Sequence, residues 1–240
     1  MKNLRRNPWR MLVWLLLGLF VVVVIYWCFR EFCAIPDRSL LAVPLPTVNR
    51  WQSIIPGQTS KEQALNILGS SPYVRRASIT VYPGGKLQDG SKFQSIRWDN
   101  KLMSFVPPHW LLSNHMVLLD DKVVVVAIYL NYHMTAEQAI AHFGEPERIA
   151  RGEGVARNSA YDEVINLLYP DKGLILTCRG NSILSGDSIV GQLVPGSPVV
   201  WAYHFESMSL DELGRTAGSL LDMDLNHMED WAGYDSAPNP

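Results

Sequence analysis

The sequence predicts an α+β protein with an N-terminal transmembrane helix, two tandem units of short helix plus antiparallel sheet, and a C-terminal helix. Three observations predict this fold class. Residues 11–29 carry no charge, and a ten-residue pattern occurs twice with an offset of 75 (135 − 60). Strand-like segments separated by turn residues follow each copy. The predicted divisions are a basic tail (1–10), a membrane helix (11–29), a linker (30–50), two repeats (51–130 and 131–205) and an acidic C-terminal region (206–240).

The segment Met11–Phe29 has the length and composition of a membrane-spanning helix. At about 1.5 Å per residue it would rise roughly 28 Å, close to the ~30 Å core of a bilayer. The basic residues before it place the N-terminus in the cytoplasm and the body outside, with membrane lipid as the partner of residues 11–29. A cleaved signal peptide is the alternative, but the apolar run exceeds the usual ~7–15 residues.

Charge and cysteine content limit the possible partners and cross-links. The net charge is −2, and from Glu206 onward there are eight acidic residues and one basic residue. Because the rest of the body is nearly neutral, we predict no nucleic-acid partner. Cys33 and Cys178 either form a disulfide or are two unrelated thiols. We favour two thiols, since the sequence does not show that their Cα atoms are close.

The internal duplication predicts two matching helices. Residues 60–69 read SKEQALNILG and residues 135–144 read TAEQAIAHFG. In each copy a Ser or Thr N-cap is followed three positions later by Gln, which completes a capping box. Gly69 and Gly144 are expected to adopt the left-handed conformation that ends a helix. Helices this short are unstable alone in water, so each must pack on the segments that follow it.

Strand-like segments follow each predicted helix. In the first unit they cover residues 78–82, 93–98, 102–106, 115–119 and 123–130. In the second unit they cover residues 164–169, 174–178, 189–194 and 199–205. The turn-forming pair Asp120-Asp121 predicts a hairpin between two of them. The segment Val123–Leu130 is almost entirely apolar, which predicts a central strand covered on both faces.

These helices and their flanking residues resemble the SmpA/OmlA (BamE-type) and β-lactamase-inhibitory-protein-like repeat. Residues 56–60 (PGQTS) and 68–72 (LGSSP) carry the resemblance in the first unit, and Thr135 with residues 143–146 (FGEP) in the second. The resemblance covers about residues 50–205. It implies an extracytoplasmic, non-enzymatic protein that binds other proteins through sheet faces or loops. The chain departs from the family in having a predicted membrane helix rather than a lipoprotein signal, and no particular partner is carried over.

A third helix is predicted to begin at Ser209, which forms a capping box with Glu212. Its apolar stripe is expected to dock on the second sheet. Beyond it, residues 230–240 are expected to fray, apart from Trp231 and Tyr234, which have side chains that can pack.

No motif for catalysis or metal binding stands out. Residues 222–226 resemble the start of a calcium loop, but His227 and Gly233 occupy the positions that need Gly and Glu. His109 and His115 lack the spacing of metal ligands. We therefore predict no catalytic residue, no metal site and no cofactor, and a protein that is not an enzyme.

Four aromatic residues are candidate interface residues: Trp98, Phe105, Trp110 and Trp201. Aromatic residues bury large areas and are enriched in interface hot spots. The competing interpretation, which we favour, places them in two small hydrophobic cores. If they do form an interface, Trp98 and Trp110 are expected to be the most exposed because their surroundings are rich in loop residues.

The duplication, the resemblance and the missing catalytic motif together predict the function. We expect a membrane-anchored, extracytoplasmic, non-catalytic protein-binding or envelope-assembly module with a protein partner. The alternative is a sensor or carrier that binds a small ligand or lipid in the cleft between the two repeats. An envelope hydrolase is a third hypothesis, which would require a nucleophile or a metal among convergent polar groups.

Overall fold

The computed structural model describes residues 8–32, 40, 50–86, 90–100, 114–130, 132–153, 163–185, 188–220, 225 and 228–235. The chain divides into two compact units, Met1–Pro36 and Asp37–Pro240. In the first unit the described residues form one helix, α1 (Pro8–Phe32). All of the described strands belong to the second unit.

The predicted membrane anchor is not supported. Helix α1 does not coincide with Met11–Phe29, because it also includes Arg10, Arg30 and Glu31. Among the described residues, no helix combines the length and the apolar character that crossing a membrane requires. The prediction rested on the length and apolar composition of residues 11–29 by themselves, whereas the helix that contains them is longer and carries charged residues at both ends. The predicted location as a single-pass membrane protein is therefore wrong, whereas the lipid contact assigned to residues 11–29 is not tested and stays a prediction.

The described residues of the second unit include eleven strands: β1 (Thr80–Lys86), β2 (Lys92–Trp98), β3 (Asn114–Leu119), β4 (Lys122–Tyr129), β5 (Arg148–Glu153), β6 (Glu163–Tyr169), β7 (Leu174–Arg179), β8 (Asn181–Ser185), β9 (Ser188–Gln192), β10 (Val199–Phe205) and β11 (Met228–Asp230). Nine of them make one sheet in the order β1-β2-β3-β4-β10-β7-β6-β5-β11, and β8 pairs with β9 alone. Every neighbouring pair in the large sheet is antiparallel. The strand expected at 102–106 lies outside the described residues.

The predicted fold class, in which each repeat has its own sheet, is wrong. Strands from both repeats belong to one sheet, joined where β4 pairs with β10. At this seam Trp201 lies opposite Tyr129, and Phe205 lies opposite Val125. Two separate sheets would each leave an apolar edge strand with unpaired backbone groups. Pairing the two edges satisfies these groups, which is the physical reason for a single sheet.

The two short helices predicted from the duplication are present as α2 (Lys61–Ser70) and α3 (Ala136–Phe143). Both begin with the expected capping box, in which Ser60 and Thr135 are the N-caps. Gly144 ends α3 with a positive φ of 85°, but its ψ of −178° is not that of the left-handed conformation, so only the sign of φ is as expected. Gly69 lies inside α2 instead, so the expectation for that glycine is wrong. The third helix, α4 (Leu210–Leu220), is also present.

Helices α2 and α3 pack on the same side of the sheet, here called the helix face. Ile128 lies in the core beneath α2 and Ala202 in the core beneath α3, and the two residues are directly opposite across the seam. The other side, here called the opposite face, has a third core. In it Leu213 of α4 packs with residues from both halves of the sheet. Helix α4 therefore lies across the seam instead of docking on the second repeat alone.

The two halves are related by approximate two-fold symmetry. The Val123 N–H donates to the Thr59 carbonyl, and the Val199 N–H donates to the Met134 carbonyl. The two valines are 76 positions apart (199 − 123). Within the seam, Ala127 pairs with Tyr203, which is again 76 positions later (203 − 127). This pair therefore lies on the pseudo-two-fold axis.

Candidate functional site

The two central strands place aromatic side chains side by side on the opposite face. In β10, Trp201 and Tyr203 alternate with Ala202, which belongs to the core beneath α3. Because successive side chains of a strand point to opposite faces, the two aromatic residues lie on the opposite face. Tyr129 of β4 lies directly across from Trp201. His115 of β3 lies across from Ala127, the next residue of β4 on the same face.

These four residues, His115, Tyr129, Trp201 and Tyr203, form one cluster, here called the aromatic seam cluster. The Trp201 ring is at its centre, with centroid distances of 5.5 Å to Tyr129 and 6.2 Å to His115, both edge to face. The Tyr203 ring is 6.0 Å from Trp201. These separations lie in the range of about 4.5–7 Å at which aromatic pairs attract. All four side chains are half-buried, so each keeps part of its surface exposed.

Two arginines lie beside the aromatic seam cluster. Arg97 of β2 is opposite His115, is exposed, and places its guanidinium 5.2 Å from the ring centre of Tyr82. Arg179 of β7 is also exposed and lies on the same face two residues beyond Thr177, the residue opposite Trp201. A permanently charged guanidinium therefore lies on each side of the cluster, and that of Arg97 lies over Tyr82 of β1, the strand on the far side of β2 from the cluster.

One buried polar pair lies in the sheet next to the cluster. The Thr177 hydroxyl donates to Asn166 Oδ1 over 2.6 Å, and both side chains are buried. A buried hydroxyl or amide without a partner would be costly. This hydrogen bond removes that cost at the position opposite Trp201.

The four residues predicted as interface candidates have different outcomes. Trp201 lies at the centre of the aromatic seam cluster. Trp98 is only 1% exposed and stacks on Trp51 with ring centroids 5.2 Å apart, so the expectation that it is among the most exposed is wrong. The reason is strand alternation, because Trp98 shares the helix face with the buried Ile96. Phe105 and Trp110 lie outside the described residues.

Sequence reasoning missed Tyr129 and Arg97 as members of this surface. The alternation of Trp201 and Tyr203 in β10 was a local signal for one half of the cluster. The other half comes from β4, and its position depends on the register of the β4–β10 pairing. That register joins residues far apart in the chain, and no local pattern specifies it.

The described part of the chain has neither a metal-binding cluster nor a reactive thiol. No group of three or more His, Cys, Asp or Glu residues converges there to hold a metal ion. Cys178 is a free, buried thiol, and burial raises its pKa to about 12. It is therefore protonated at neutral pH and unsuited to act as a nucleophile. Cys33, its predicted alternative disulfide partner, lies outside the described residues.

A second polar cluster fastens the C-terminal segment to the sheet. Arg151 of β5 donates to Asp235 over 2.9 Å and to the Gly191 carbonyl over 2.8 Å. Burial, the largest influence, lowers the pKa of Arg151, but the hydrogen bonds and charges of Asp235 and Glu229 outweigh it and raise the pKa. Asp235 also accepts a hydrogen bond from the Leu193 backbone. The side chains of this cluster are paired with one another and with the backbone, so its role is structural.

Comparison of the chain with models of known families, with curated proteins and with solved structures gave no match. The resemblance to the SmpA/OmlA and β-lactamase-inhibitory-protein-like repeat therefore stays a prediction. The aromatic seam cluster and the residues around it are the features of the structure from which a function can be inferred.

Proposed function

We propose that the unit Asp37–Pro240 is a non-catalytic protein-binding module that uses the aromatic seam cluster as its contact surface. The observation that carries this proposal is the gathering of three half-buried aromatic side chains around Trp201, which is itself half-buried, with two exposed arginines nearby. Trp, Tyr and Arg are the residue types most enriched in the energetic centres of protein interfaces. Their combination on one sheet face favours recognition of another protein.

The position of the cluster on the two central strands supports the same function. Strands β4 and β10 are paired on both sides, so the backbone beneath Tyr129 and Trp201 is held by neighbouring strands. A surface that is already ordered loses less conformational entropy when a partner binds. Tyr and Trp also have few side-chain torsions to fix. The cluster therefore has the rigidity expected of a preformed binding surface.

The chemistry of the cluster is suited to binding. It offers ring faces, a hydroxyl edge and guanidinium groups, which together recognise apolar and anionic groups. The alternative function, a ligand-binding cleft between the repeats, has less support. The two repeats are joined at β4 and β10 by a continuous ladder from Val125 to Tyr129, where that hypothesis needs a gap. We therefore retain protein binding alone.

Partner capture by matched tryptophan variants tests the proposal. Trp201→Ala removes the centre of the aromatic seam cluster, while Trp231→Ala removes a half-buried tryptophan that packs edge to face on Tyr234 elsewhere. A hot-spot residue contributes about 2 kcal/mol or more, so Trp201→Ala should weaken capture of a discrete, cross-linkable partner by roughly 30-fold.

The control separates loss of binding from loss of folding. Trp231→Ala should retain capture, and both variants should keep the circular dichroism spectrum of the parent protein. Undiminished capture by a folded Trp201→Ala protein would rule out the aromatic seam cluster as the contact surface.

A further inference from the structure

The pseudo-two-fold axis relates two ends of the opposite face. The axis passes through the Ala127–Tyr203 pair, and it exchanges the pair Tyr129–Trp201 with the pair formed by Phe205 and Val125. The first pair lies at what is here called the aromatic end, and the second lies at what is here called the covered end. The two ends have equivalent backbones but different side chains and surroundings.

At the covered end the chain supplies its own helix. Leu213 of α4 is 1% exposed and packs in the core that contains Val125 and Phe205. Leu210 of α4 is partly buried against the same core. The first turn of α4 carries Asp211 and Glu212, and both are exposed. An acidic amphipathic helix is therefore the element that this backbone arrangement accommodates.

The aromatic end differs in a way that suits a reversible contact. In place of Phe205 and Val125 it has Tyr129 and Trp201, with His115 on β3 and Arg97 on β2 further along the same face. Permanent interfaces resemble hydrophobic protein cores, whereas interfaces that form and dissociate are more polar and are surrounded by a polar rim. The covered end has the character of a permanent interface, and the aromatic end has the character of a reversible one.

We propose that the aromatic end receives an acidic amphipathic helix contributed by a partner protein. This inference rests on the proposed function and specifies its partner. The apolar side of the helix contacts Trp201 and Tyr129, and a carboxylate of the helix pairs with the exposed Arg97. Amphipathic helices commonly bind by placing apolar anchors on a complementary surface, and paired charges then set orientation and specificity.

A peptide assay with the full chain tests this partner class. The probe is a fluorescent peptide with the sequence of residues 208–225, which contains α4 and four acidic residues. Two comparison peptides carry Lys at those four acidic positions or Pro in place of Gly214. Fluorescence anisotropy should show at least about tenfold weaker binding for both comparison peptides. Trp201→Ala should weaken binding of the original peptide by a similar factor.

Charge-reversal variants test whether the peptide binds at the aromatic end. Arg97→Glu should weaken binding of the acidic peptide and strengthen binding of its Lys counterpart, whereas Arg76→Glu, at another exposed arginine, should change neither. Binding that is indifferent to Arg97 and Trp201 would overturn the proposal, as would the absence of binding. A dimer of the full chain that dissociates on Trp201→Ala would also overturn it, because the occupant would be a second copy.

The outcomes distinguish this inference from the proposed function. If Trp201→Ala abolishes capture of a protein partner but no acidic peptide binds, the partner uses another kind of element and only this inference fails. If a folded Trp201→Ala protein retains capture, the proposed function fails as well.

Discussion

At the scale of single residues, burial keeps two titratable groups of the second half neutral. Cys178 is fully buried, and its removal from water raises the thiol pKa to about 12. Burial is also the main cause of the raised pKa of Tyr169, whose hydroxyl donates to the Gly144 carbonyl over 3.1 Å. Each group would have to lose its proton inside an apolar core, which opposes ionisation. Both therefore act as packing groups.

The Cys178 pKa predicts weaker stability in alkali. The thiol pKa is 9.0 in the reference state and about 12 in the fold. A raised folded-state pKa gives a stabilising contribution that is complete below about pH 9 and is lost as the pH rises towards 12. The free energy of unfolding should therefore fall less steeply between about pH 9 and 11 for Cys178→Ala than for the parent. Equal slopes for the variant and the parent would contradict the assigned pKa of Cys178. The cavity that Cys178→Ala leaves does not affect this comparison, because its cost does not change with pH.

The two strand tryptophans show that residue type alone does not determine whether a side chain is buried or partly exposed. Trp98 and Trp201 are both strand residues, and both could be identified as candidates from sequence. Their different positions follow from the alternation of side chains along a strand, because Trp98 lies on the helix face and Trp201 on the opposite face. The sequence shows which residues of one strand share a face. Which of the two faces is covered by a helix depends on the whole sheet, so the burial of Trp98 was not predictable.

At the scale of elements, the two capping boxes are the most predictable feature of the fold. Each needs only a hydroxyl and a Gln three residues later, and both form as expected at Ser60 and Thr135. The prediction succeeded because the interaction is local. The end of α2 was mispredicted, since its backbone continues through Gly69 to Ser70, and the C-cap Ser71 is extended.

Removing the caps should destabilise the fold in both halves. Ser60→Ala and Thr135→Ala each leave a helix N–H without its side-chain acceptor, so each should cost about 1 kcal/mol in the free energy of unfolding. Urea denaturation measures this cost. Ser70→Ala is the matched control, because the Ser70 hydroxyl only donates to carbonyls of its own helix. Cap variants as stable as that control would contradict the assigned role.

At the scale of the whole molecule, the seam between β4 and β10 produces both the single sheet and the candidate site. The duplication and most strands could be predicted, but the joining of the two sheets could not. Its register pairs residues more than seventy positions apart, such as Tyr129 with Trp201, and no periodicity encodes such a pairing. The site was missed for the same reason, because the aromatic seam cluster exists only once the halves are joined.

Photo-crosslinking from the seam tests the central claim most directly. A photoreactive phenylalanine analogue replaces Tyr129 in one protein and Tyr234, the half-buried neighbour of Trp231, in another. If the aromatic seam cluster is the contact surface, irradiation should yield a discrete protein adduct from position 129 and none from position 234. An adduct from position 234 alone, or no adduct from a folded position-129 variant, would contradict the account.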